Sequence, residues 1–292
     1  MGTLLNRRRY MGGGGEVPHV DWDKEYLTFK ALDSCTFKHT AFDVDYSLDG
    51  GSTWVTLAAG TNSPSVAAGE YIKFKGSIVP GSTGSGIFSS TGRYEAMGNP
   101  ISLFYGANFI GVTDLSGLSL PMRRMFYQSR NLISSENLAM VAEILPAQSY
   151  YQMFYQCSAM EKTVSVLSAT TLTNTCYREM YYGCTALQVA PELPATSLTS
   201  GCYQSMFAGC TSLTTAPVLP ALGLAGYCYQ DMFNGCSSLG YIKMLCTSTG
   251  TNSLTRWVNG VAASGTFVKN AAMTTLPSGV NGIPDGWTVI DN

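Results

Sequence analysis

One five-residue phrase returns through the middle of the chain: Met125-Phe-Tyr-Gln-Ser129, Met153-Phe-Tyr-Gln-Cys157, Met180-Tyr-Tyr-Gly-Cys184, Met206-Phe-Ala-Gly-Cys210 and Met232-Phe-Asn-Gly-Cys236. Its methionines are 28, 27, 26 and 26 residues apart. A second phrase keeps the same time, at Leu193-Pro-Ala195 and Leu219-Pro-Ala221, with weaker copies at Leu145-Pro-Ala147 and Leu167-Ser-Ala169. A fixed period in the twenties marks a solenoid, because each unit has an apolar face that it can bury only against its neighbours. Each coil is expected to hold a helical or 3₁₀ turn across Cys-Tyr-x-x-Met-Phe-x-Gly-Cys. Met206, Phe207, Cys210, Leu213 and Leu219 should then stack on their counterparts, with Gly183, Gly209 and Gly235 where the turn reverses. Leu145 precedes Met153 by 8 residues where the later units have 13, so that coil should pair its phrases differently.

The units Met206-Phe-Ala-Gly-Cys-Thr-Ser-Leu213 and Met232-Phe-Asn-Gly-Cys-Ser-Ser-Leu239 resemble the BspA-like class of leucine-rich repeat. The openings Cys176-Tyr177, Cys202-Tyr203 and Cys228-Tyr229 are similar to a variant found in gut anaerobes and their phages. The resemblance covers roughly residues 101 to 290. It implies recognition at a cell or virion surface and no catalytic chemistry.

Composition narrows the classes further. Charged residues make up only 12% of the 292-residue chain, against 31 glycines and 17 tyrosines, which suits repetitive β architecture. A net charge of −2 argues against nucleic acid as partner. No apolar run reaches the roughly 20 residues of a membrane span, and no secretion signal is expected around Arg7-Arg8-Arg9. The nine cysteines are odd in number and spaced Cys-x7-Cys in the repeats, unlike zinc ligands, so buried free thiols are expected and no metal.

The fold expected is mainly β with short helical turns: an immunoglobulin-like β-sandwich followed by a leucine-rich-repeat solenoid. Residues 1–20 read as a flexible, basic and Gly-rich docking tail, with Arg7, Arg8 and Arg9 pairing to carboxylates and Tyr10 as an apolar anchor. Residues 21–100 alternate apolar and polar residues in six short runs, as a sandwich does. The solenoid occupies 101–245, with Ile101–Phe109 as a degenerate first coil, and the rhythm stops there. Residues 246–292 form a β cap lidded by Trp257 and Trp287. Ser47-Leu-Asp49-Gly-Gly51-Ser-Thr53-Trp54 resembles an Asp-box, in which Asp49 and Gly50 turn a hairpin over Trp54. A calcium loop from Asp43 fails because Leu48 stands where the loop glycine belongs.

Catalytic machinery is not expected. Cys35 and His39 lie about 13 Å apart on a strand, the carboxylates form no opposed pairs, and no cofactor motif is present. Positions that vary between units should face outward, which makes Tyr127, Tyr155 and Tyr182 an aromatic row with Gln128 and Gln156 beside it. Such a row suits a host-surface glycan or protein, although inter-coil packing by the same rings fits equally well. The expected protein is a non-enzymatic, homo-oligomeric virion component such as a fibre, decoration or tail-associated protein. Residues 1–15 would dock it to other assembly proteins. The alternatives are a bacterial cell-surface adhesin and a purely structural spacer.

Overall fold

The computed structural model describes residues 20–76 and 87–292, so Arg7, Arg8, Arg9 and Tyr10 lie outside the described residues. The chain is mainly β with little helix. Alternation in the N-terminal part produces β1 (Leu27–Ala31), β2 (Phe37–His39), β3 (Val44–Ser47), β4 (Val55–Leu57), β5 (Tyr71–Lys75), β6 (Phe88–Ser90) and β7 (Tyr94–Gly98). One sheet runs β4-β3-β5-β1-β7 and continues into β8 (Leu132–Leu138), while β2 and β6 pair separately. Phe29 joins the two sheets, its ring centroid 5.3 Å from Phe37, 5.1 Å from Phe74 and 5.0 Å from Phe88. The run at Ser63–Val66 contributes only a bridge between Cys35 and Val66, since Pro64 brings no N–H to a ladder. The Asp-box makes its hairpin between β3 and β4: Asp49 accepts from Thr53 N at 2.9 Å, and Trp54 Nε1 donates to Gly51 O at 3.0 Å.

Residues 101–109 are not a first coil. Ser102–Tyr105 form a single helical turn, α1, whose Ser102 hydroxyl donates to Phe74 O and accepts from Leu27 N, closing the sheet end. The core does not break at residue 100. Strand β8 pairs in parallel with β7, Phe88 N donates to Met125 O at 2.7 Å, and the Phe126 ring lies 5.8 Å from Phe29.

The phrase expected to be a helical turn is instead a ribbon of consecutive turns. Every fourth residue has positive φ: Gln148, Gln152 and Gln156 in one unit, Thr175, Glu179 and Gly183 in the next, then Gly201, Ser205 and Gly209. No helix tolerates that. Alternate amides close turns within the unit, as Tyr151 N to Gln148 O and Met153 N to Tyr150 O do. The amides between them reach the next unit, Tyr150 N to Cys176 O at 2.8 Å and Phe154 N to Met180 O at 2.9 Å. A helix would spend those donors on its own carbonyls. The ribbon keeps half of them for the neighbour.

Side chains follow the same register. Phe126, Phe154, Tyr181, Phe207 and Phe233 form one buried column with successive centroids 5.3, 5.3, 5.5 and 5.8 Å apart. Tyr150, Tyr177, Tyr203 and Tyr229 form a second. The rhythm does not stop at Leu245: Trp257 extends the first column, 6.1 Å from Phe233, and Asp231, Phe233 and Gly235 donate to Thr255, Trp257 and Asn259. On either side of Trp257 in the chain, β9 (Tyr241–Met244), β10 (Thr266–Lys269) and β11 (Thr288–Asp291) form a parallel sheet.

The Leu145 phrase is not a displaced copy of Leu193-Pro-Ala195. Ile144 bridges Thr171, which puts Leu145 in register with Leu172, whereas Val166 bridges Glu192 and aligns Leu167 with Leu193. The short gap before Met153 follows from that shift.

Two substitutions separate ring packing from backbone conformation. Phe207→Ala should cost about 3–5 kcal/mol in urea unfolding, because the ring is fully buried between Tyr181 and Phe233. Gly209→Ala should cost about 1–2 kcal/mol. Its φ is 75° while an added Cβ would meet Gly183 Cα at an ordinary 3.6 Å, so the loss would be conformational and not steric.

Candidate functional site

The turn ribbons stack so that equivalent outward residues form parallel columns along one side of the repeats. Tyr127, Tyr155 and Tyr182 make the column expected of them, with centroids 5.0 and 4.8 Å apart and planes within 9°. They are half-buried. The rings therefore both pack the units together and present their edges, so the two readings of this row describe one arrangement. Gln128 Nε2 donates to Gln156 Oε1 at 2.9 Å alongside. All five expected residues are brought together on three rungs.

The structure adds residues that the sequence reading left out. Arg123, Tyr151 and Arg178 occupy equivalent positions on successive rungs, and both guanidiniums lie over the Tyr151 ring, at 5.1 and 5.9 Å. Arg124, Gln152 and Glu179 run between the two aromatic columns. Arg124 Nε donates to Gln152 Oε1 at 2.7 Å, Gln152 Nε2 donates to Glu179 Oε2 at 2.6 Å, and Arg178 Nε donates to Glu179 Oε1 at 3.0 Å. Arg124 also covers Tyr127, 5.2 Å from its centroid. The signal is present in the sequence: the pair before each methionine is Arg123-Arg124, Tyr151-Gln152 and Arg178-Glu179, which varies from unit to unit as outward positions do.

Further along the ladder the column turns neutral. Asp231 is held by Arg256 Nη2 at 3.0 Å and Asn234 Nδ2 at 3.1 Å, and Asn259 Nδ2 donates to Asn234 Oδ1. Partial burial, then the neighbouring Tyr182 and Tyr127, raise the pKa of Tyr155. Its hydroxyl stays protonated as a donor at neutral pH.

His39 and the cysteines are enclosed. His39 donates from Nδ1 to Phe42 O at 2.9 Å with its ring against Phe42 and Phe88, and burial lowers its pKa. Cys157, Cys184, Cys210 and Cys236 form an interior column, each thiol donating to a backbone carbonyl of the preceding unit at 2.9–3.1 Å. All nine cysteines are buried and unpaired, and no group of three metal-type ligands occurs among the described residues. Asp43 and Asp45, considered for calcium, instead accept from Ala59 N and Thr56. The grooves at 249–281 and 258–285 lie at the far, C-terminal end.

No family model, curated protein or solved structure matches the chain.

Enclosure of the thiols has a measurable consequence. Burial raises Cys202 to about 11 and Cys236 to about 12, from 9.0. The unfolded chain then holds fewer protons than the folded one above pH 9, so stability is complete below that pH and falls as pH rises toward the folded values. Each such thiol should contribute a loss of about 1.4 kcal/mol per pH unit in that window, read as a falling urea midpoint. At pH 8 a chromogenic disulfide reagent should leave the nine thiols unmodified until denaturant is added.

Proposed function

We propose that this chain is a non-enzymatic recognition protein whose stacked units constitute a BspA-like leucine-rich-repeat solenoid mounted on an immunoglobulin-like sandwich. Its setting is a bacteriophage virion, as a homo-oligomeric fibre, decoration or tail-associated component that contacts the host surface. The observation that carries this reading is the three-rung strip of Tyr127, Tyr155, Tyr182, Tyr151, Arg123, Arg124 and Arg178. Inward positions repeat from unit to unit because packing constrains them, whereas outward positions change, and here they converge on tyrosine and arginine. Those types dominate binding hot spots, since each offers a large rigid surface together with a polar end. The burial and engagement of the thiols and His39 support recognition over catalysis. Several weak copies on one particle would reinforce each other by avidity.

The spacer reading keeps one specific observation in its favour. The tyrosines satisfy one another by stacking, which a purely structural ladder would also require.

Binding of the full chain to intact cells of candidate hosts, measured by flow cytometry beside immunogold labelling of particles, tests the proposal. Tyr155→Ala should reduce cell binding by about tenfold or more while leaving the protein folded. Absence of cell binding by the wild type favours the spacer, equal binding by wild type and variant removes the strip as the contact surface, and absence of label from particles removes the virion setting.

A further inference from the structure

Resting on that reading of the strip, we infer that its partner is an acidic polypeptide segment, whose carboxylates dock on Arg123 and Arg124 beside the tyrosine hydroxyl edges. Charge is the first ground. The three rungs carry Arg123, Arg124 and Arg178 against a single carboxylate, Glu179. Glu179 is already engaged, by Arg178 at 3.0 Å and by the Gln152 amide. Arg124 has only a neutral acceptor, the Gln152 carbonyl oxygen, and its terminal nitrogens have no protein partner among the described residues. Arg123 has no ion pair among them either, and its buried Nε makes no hydrogen bond. On the rungs at the other end, Asp231 and Arg256 neutralise each other. The uncompensated positive charge is thus confined to the end of the ladder that carries the tyrosines.

Donor chemistry is the second ground. Guanidinium groups are donors only and carboxylates acceptors only, and the planar fork of arginine meets a carboxylate through two parallel bonds. Arg123 is already spread over the Tyr151 ring and Arg124 over Tyr127, which limits their rotamers and lowers the entropy lost on docking.

Ring geometry decides between two bearers of carboxylate. A sugar acid on an aromatic site uses ring faces as a platform, but here Tyr127 and Tyr182 cover both faces of the central Tyr155, and the stack presents mainly edges along the strip. Edges and forks suit an extended or surface segment bearing Glu or Asp.

The test uses the full chain and three fluorescent probes: a peptide alternating Glu and Ser, one alternating Lys and Ser, and polygalacturonate. The Glu-Ser peptide should bind, the Lys-Ser peptide should not, and polygalacturonate should bind more weakly. Affinity should fall several-fold as salt rises from about 50 to about 200 mM, where screening shortens to about 7 Å. The double variant Arg123→Gln/Arg124→Gln should lose tenfold or more, Arg124→Lys should retain part of the binding, and Lys24→Gln, which is paired with Asp21 and is not part of the strip, should change nothing. Circular dichroism confirms that each variant is folded. Absence of Glu-Ser binding, equal binding by the double variant, or tighter polygalacturonate binding overturns the inference. If host-cell binding still depends on Tyr155 in that case, the strip remains a recognition surface for a different partner; if neither holds, both readings fall.

Discussion

The structure depends on how the repeat backbone divides its amide donors. In each turn ribbon one N–H closes a turn within the unit and the next reaches the carbonyl of the following unit, as with Met153 to Tyr150 and Phe154 to Met180. Buried amides must find partners, and this division satisfies them in two directions at once. It demands left-handed residues at every fourth position, including Gln152, Glu179, Ser205 and Asp231, each an unfavourable local conformation. The inter-unit bonds and the buried columns offset that cost. Gly183, Gly209 and Gly235, all at positive φ, relieve it at the last of these positions in their units.

With the backbone in register every 26 or so residues, side chains have no freedom to interleave and must stack like on like. Aromatic rings at 5.3–5.8 Å fill one column, and a narrower column takes cysteine, small enough to fit and able to donate weakly to a carbonyl. This is why the cysteines recur. The same enclosure that makes them good filling raises their pKa and makes them poor nucleophiles.

The outer columns obey the same register but not the same packing constraint, so they can carry charge. Arg124, Gln152 and Glu179 form a chain of bonds along one column that no single unit could make, and the adjacent tyrosines become a ladder of edges. At its N-terminal end the stack is continuous with the sheet through β7 and β8, and Tyr94 OH bonds Ser129, which stands where later units have cysteine. The N-terminal strands are therefore packed directly on the first rung.

Much was legible in sequence because repetition and alternation are local patterns. The period, the stacking of Phe207 and Cys210 on their counterparts and the membership of Tyr127, Gln128, Tyr155, Gln156 and Tyr182 in one strip follow from spacing, and the hairpin at Asp49 from its resemblance to an Asp-box. Three things did not. A helical turn and a turn ribbon demand the same apolar spacing, and which one forms is decided by whether the amides bond within the unit or across to the next. Trp257 extends the ladder at a shortened step that spacing does not reveal, and Ile144 takes its register from Thr171 and not from its Leu-Pro-Ala likeness. Composition sets what each unit can bury, but only the neighbouring unit sets which donors are left over and where the rings come to rest.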